Sequence, residues 1–172
     1  MPGSHVLLQF GAHYTDLKFE DLEGRLAFTI KKVDESPNLI LKLTREAPWA
    51  QHHPGVMGPN SSFFYFGPGR TQGLLAYGNN PTQPMASSRK RKRDNSSSRY
   101  FTTQNGAEYK WKLSANKLEC VDSRGSTIAI WETAQPADVY DARMTIKQPG
   151  LSIVTELVTT LLLNRIGQTL NW

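Results

Sequence analysis

"GLSIVTELVTTLLLNRIG", residues 150–167, holds nine large aliphatic side chains in eighteen positions. At about 100° per residue, Leu151, Ile153, Val154, Leu157, Val158, Leu161, Leu162, Leu163 and Ile166 leave no sector of about 60° around a helix axis without an apolar group. A surface helix keeps one side bare. Ser152, Thr155, Thr159 and Thr160 stand between them, and their hydroxyls can bond carbonyls one turn back and so tolerate burial. The run is too short to span a bilayer comfortably. A helix over about 151–166, capped by Gly167 and wrapped on all sides by the chain's own sheet, is the economical reading; the Val, Ile and Thr content keeps open a pair of buried strands instead.

The rest of the chain supplies the wall. "HVLLQF", "TDLKFED", "LAFTIKKV", "LILKLTRE", "SFFYFG" and "GLLAYG" are short runs with alternating or apolar character, separated by turn signals at "LEGR", "DESPN" and "PGRTQ". After residue 98, "RYFTT", "AEYKWKLS", "KLECVDS", "TIAIWET" and "VYDARMTIKQ" repeat the pattern, with turns at "QNG", "SAN" and "SRGS". Ten to twelve short strands at this spacing predict a mainly β fold, an antiparallel barrel enclosing the C-terminal helix. At 172 residues the chain suits one domain, 1–172. Between the halves lies "NNPTQPMASSRKRKRDNSSS", residues 79–98, with almost nothing for a core. It is expected to be a mobile, low-complexity insertion, and deletion of Ser87–Ser98 is expected to leave folding intact.

The net charge of +5 belongs to this segment. Six cations and one anion fall between Arg89 and Arg99, which leaves the remainder neutral. The consecutive cations Arg89, Lys90, Arg91, Lys92 and Arg93 fit an anionic-lipid contact or a nuclear import signal read by an import receptor, and less readily a nucleic-acid patch. A solvated loop without a dedicated partner has the same composition. Arg91-x-Arg93-x-x-Ser96 matches the preference of basophilic kinases and marks Ser96 as a candidate phosphosite.

"NGAEYKWKLSANKLECVDSRGSTIAIWE" with the late "LSIVTELVTTLLLNR" resembles an uncharacterised family of basidiomycete fungi within the tubby C-terminal-like superfamily, alongside tubby, the phospholipid scramblases and the LURP-one-related proteins. The shared pattern is Gly106, Tyr109 and Trp111 on one strand, then Trp131, then the apolar helix; it runs from Phe19 to Arg165 with residues 79–98 outside it. The resemblance implies a barrel around a helix and supplies no reaction. Tubby-like relatives bind phosphoinositide headgroups through exterior cations, and the resemblance does not match their lipid-contacting lysines to positions here. The chain also lacks the cysteine cluster and calcium loop of scramblases.

Other chemistry is sparse. One cysteine, Cys120, excludes an internal disulfide and alternates into a strand as a core residue. His52 and His53 are adjacent and lack metal-ligand spacing, so no metal site is expected. "GPGRTQG" fits neither phosphate-loop spacing, and no cofactor is implied. Glu156, the single carboxylate inside the apolar run, must pair, reach a barrel mouth or be protonated. With Trp49 it defines a possible pocket for a small-molecule-binding or catalytic barrel. Absence of any acid–base or nucleophile constellation favours instead a non-enzymatic binding module of the cytoplasm or nucleus, with no transmembrane segment and no leader. Oligomeric state and ligand stay open.

Overall fold

The computed structural model describes residues 3–172; Met1 and Pro2, part of the stretch read above for a leader, lie outside the described residues. Twelve strands form one sheet: β1 (Ser4–Phe10), β2 (Asp16–Asp21), β3 (Leu26–Asp34), β4 (Ile40–Arg45), β5 (Ser61–Tyr65), β6 (Leu74–Tyr77), β7 (Gln83–Pro84), β8 (Ser98–Thr102), β9 (Glu108–Leu113), β10 (Lys117–Asp122), β11 (Thr127–Thr133) and β12 (Ala142–Lys147). A one-turn helix α1 (Ala47–Ala50), opened by Pro48, seats Trp49 in the core. The long helix α2 (Val154–Leu170) follows a 3-10 segment over Gln148–Ile153.

Spatial order is β7-β6-β5-β4-β3-β2-β1-β12-β11-β10-β9-β8, antiparallel throughout. Two meanders therefore run outward from a central β1–β12 ladder, in which Leu7 faces Met144 and His5 faces Ile146. Period-two alternation delivers Leu17 and Phe19, Leu41 and Leu43, Phe64, Trp111, Leu118 and Cys120, Trp131, Met144 and Ile146 to the inner face. There they meet α2, whose residues Val154 to Asn164 are all buried. Among the described residues no helix is long and apolar enough to cross a membrane.

The threonines of α2 are satisfied in two ways. Thr159 and Thr160 donate to the carbonyls of Thr155 and Glu156 at 2.6 and 2.8 Å, one turn back as expected. Thr155 instead donates to the Pro59 carbonyl at 2.7 Å. The wall also reaches in: Trp111 Nε1–H donates to Thr160 Oγ1 at 2.8 Å, and Ser62 and Thr159 hydroxyls bond at 2.8 Å. These contacts fix the rotation of a helix that has no polar face to orient it.

Three details depart from the sequence reading. The sheet rolls around α2 without closing, since β7 and β8 remain its two edges. Gly167 does not end the helix; it stays helical, and Asn171 at φ 56° provides the left-handed cap. Most consequentially, residues 79–98 are not a detached excursion. They contain β7 and a 3-10 turn over Met85–Ser88, with Met85 fully buried and Ser88 nearly so. Lys90 then exchanges both backbone hydrogen bonds with Tyr100 of β8, at 2.9 and 2.8 Å. The stretch is a clasp carrying the chain from one sheet edge to the other, with Met85 anchoring its first half in the core.

Candidate functional site

The five consecutive cations have five different environments. Arg89 turns inward and is only 8% exposed. Its guanidinium lies against Gly167, where an added Cβ would stand 2.5 Å from Nη2, so only glycine admits this approach. Arg89 Nε is fully buried without a hydrogen-bond partner. Burial, followed by Arg99 and Arg91 nearby, pushes its guanidinium down to about 10. Lys90 is pinned through its backbone, whereas its side chain is exposed. Arg91, exposed, donates to the Asp94 carbonyl at 2.7 Å. Lys92 bonds Glu108 at 2.8 Å and lies 4.0 Å from the centre of the Tyr100 ring; the Glu108 bond holds its ammonium above the usual lysine range. Arg93 is exposed. Ser96 is half-buried and its hydroxyl accepts the Ser98 N–H at 3.1 Å.

Two further arginines, not singled out as site residues in the sequence, bear on this region: Arg99, close to Arg89, and Arg165 on α2. Arg99 occupies an inward register position on β8, two residues before Phe101, and is 9% exposed. It donates to the carbonyls of Ser96 and Ser98, both at 3.1 Å. Arg165, in the penultimate turn of α2, lies 4.4 Å from the Trp131 ring centre and donates to Gln168 at 2.8 Å. Burial lowers both guanidinium groups below the usual arginine value, and Arg91 adds to the effect at Arg99. Arg99 and Arg165 line one open cleft of about 530 Å³ at the C-terminal end of α2, with Ser97, Ser114 and Gln168. None of its lining residues is acidic. Among the described residues, the six ion pairs include none with Arg89, Arg99 or Arg165.

Glu156 and Trp49 do not share a pocket. Glu156 is 5% exposed, and its Oε2 accepts the Gln104 N–H at 2.9 Å. Burial raises its carboxyl above the ordinary glutamate value, and the Gln104 bond partly offsets this. Trp49 packs on Phe28 and His53 and lines a cavity of about 160 Å³ with His5 and Asp21, to which Glu156 does not contribute. His53 is held below the usual histidine range, chiefly by burial. No group of three His, Cys, Asp or Glu side chains is placed to hold a metal among the described residues. Cys120 is fully buried, and burial pushes its thiol far up, which makes thiolate chemistry unfavourable. Phe64 and Phe66 point into the core, whereas Phe63 and Tyr65 stack on the outer face.

No functionally curated protein matches the sequence. Among solved structures, the fold is similar to the X-ray structure of a protein from Arabidopsis thaliana, AT5G01750, at TM-score 0.44 and 10% identity, over 95% of this chain and 91% of that one. Residues 61–166, which hold the clasp, β8 to β12 and most of α2, match the family of unknown function DUF6593, and the chain belongs to that family.

Proposed function

We propose that this protein is a non-enzymatic binding module that contacts anionic lipid surfaces through its clasp. The observation behind this reading is the presentation of Lys90, Arg91 and Arg93 as exposed side chains on a segment tied to β8, which carries the whole net charge of the chain. At about 1 kcal/mol per basic residue near an anionic leaflet, three such residues contribute ~3 kcal/mol, a millimolar-range attraction suited to reversible contact. Kinship with the tubby C-terminal-like proteins is part of the proposal, supported by the enclosed helix and by Trp111 and Trp131 on the inner wall.

Nuclear import is a weaker reading, because import signals are read as accessible chain, and here Arg89 is buried and Lys90 is bridged to Tyr100. The small-molecule or catalytic barrel loses support from the separation of Glu156 and Trp49. Phosphorylation of Ser96 would remove about 1.5 to 2 charges' worth of attraction, so the same segment is a candidate switch.

The test is sedimentation with vesicles of phosphatidylcholine alone or with 20% phosphatidylserine. Replacing Lys90, Arg91 and Arg93 together by Gln, which leaves the clasp backbone intact, should weaken binding to the anionic vesicles roughly a hundredfold. Equal sedimentation of both proteins would remove the proposal.

A further inference from the structure

We infer that Ser97 is a phosphorylation site whose phosphate is received within the chain itself, held by Arg99 and joined by Arg165, which lines the same cleft. This goes beyond the lipid reading and takes none of the exposed clasp cations as a ligand. The receptor is in place before any phosphate is attached. Arg99 donates from Nη1 to the carbonyls of Ser96 and Ser98, both at 3.1 Å, so its guanidinium is fastened to the two residues that bracket Ser97. Ser97 and Arg99 line one open cleft of about 530 Å³ with Arg165, Gln168 and Thr169 of α2. No acidic residue lines it, and no ion pair among the described residues includes Arg99 or Arg165. Arg99 is more than nine-tenths buried, and a cation so enclosed ordinarily has a counter-charge. Arg165 is steadied by its bond to Gln168 Oε1 at 2.8 Å and by the Trp131 ring, 4.4 Å from its guanidinium.

The neighbouring serines differ in what they offer a kinase. Ser96 stands three residues after Arg93 and fits the basophilic preference, yet it is half-buried and its hydroxyl accepts the Ser98 N–H at 3.1 Å. Ser98 opens β8 and is half-buried. Ser97 is exposed, and residues 91–97 lie outside helix and strand, which leaves them readable as extended chain. Cations flank it on both sides, Arg91 to Arg93 before it and Arg99 two residues after. In the transfer, Ser97 Oγ bonds the γ-phosphorus of a nucleoside triphosphate while the bond from that phosphorus to the β–γ bridging oxygen breaks. The nucleoside diphosphate leaves, and the hydroxyl proton passes to the base of the kinase. The product carries about 1.5 to 2 negative charges and three acceptor oxygens, which the planar fork of an arginine meets two at a time. A structural role explains the two carbonyl bonds of Arg99. It does not explain why a second arginine is brought to the same acid-free cleft.

The experiment has two arms, both on the full chain. In the first, a basophilic protein kinase and magnesium ATP are added and tandem mass spectrometry locates the phosphate. Incorporation at Ser97 is expected, retained in Ser96→Ala and lost in Ser97→Ala. Phosphate confined to Ser96, or absent from residues 96–98, would overturn the assignment. In the second, phosphoserine is installed at Ser97 by genetic-code expansion and titrated by phosphorus NMR. Its second pKa should lie about one unit below the ordinary value of about 6. The value should return at least halfway in Arg99→Gln, partly in Arg165→Gln, and not at all in Arg143→Gln, an exposed residue of β12. The phosphate should also raise the melting temperature by about 3 °C and slow hydrogen exchange over residues 96–99 and 165–169. Arg165 is less buried than Arg99, so Arg165→Gln serves if Arg99→Gln misfolds. An ordinary second pKa without any melting rise, or equal effects of all three arginine variants, contradicts the inference. Both arms are read without vesicles, so their failure leaves lipid binding by the unmodified chain untouched.

Discussion

Replacement of Thr160 by Val would change almost no volume and no backbone, yet it would strand the indole N–H of Trp111. That N–H is fully enclosed and donates to Thr160 Oγ1 at 2.8 Å. Leaving a buried donor unsatisfied costs about 1–3 kcal/mol, and no cavity term is added because valine is nearly isosteric with threonine. A loss of about 2 kcal/mol should lower the melting temperature by roughly 4–8 °C in a chain of this size, and the urea midpoint by about 1 M. Trp111→Phe removes the donor itself, so the double variant should recover about 1–2 kcal/mol relative to the sum of the two single losses. Urea denaturation of the four proteins measures this coupling. Additivity to within about 0.5 kcal/mol would mean that wall and helix are not bonded there, and the enclosed orientation of α2 would fall with that result.

Met85→Ala, in the segment whose composition suggests a mobile loop, should cost about 2–5 kcal/mol in urea denaturation, because Met85 is fully buried. A loss under about 0.5 kcal/mol would restore the loop reading. Glu156→Gln keeps an acceptor for the Gln104 N–H and removes the buried charge. Because burial raises the folded-state pKa, wild-type stability falls as pH rises from the unfolded value near 4.5 through the folded one. The Gln variant should therefore be more stable than wild type at pH 8, and the two should converge below pH 4.5. Urea midpoints at both pH values provide the check, and a less stable variant at pH 8 would contradict it.

The enclosed helix was legible because its apolar side chains leave no sector bare, a pattern that surface helices do not show. The walls were legible wherever alternation ran unbroken, as at Tyr109, Trp111 and Leu113. What escaped reading has a common physical cause. Met85 is a single apolar residue in a polar run, and one residue has no period, so its burial is decided by the far side of the fold. Arg99 takes an inward position that the alternation of "SRYFT" would assign to a hydrophobe; charge in the sequence argued for solvent, and only the gathering of helix end and clasp shows otherwise. Gly167 looked like a stop signal, whereas its lack of a side chain admits the Arg89 guanidinium. The basic segment was found from composition, but its division into a buried arginine, a bridged lysine and three more exposed neighbours depends on the β8 edge.

The central pairing of β1 with β12 has a consequence for biosynthesis. β1 leaves the ribosome well over a hundred residues before its partner β12, and the two meanders have no filling until α2 emerges after both. Any nascent chain ending before Val154 is a curled sheet with a bare greasy interior and two open rims, a species prone to aggregate. Such a protein acquires its native state late and all at once, so premature termination should yield insoluble or degraded fragments in place of a partly working product.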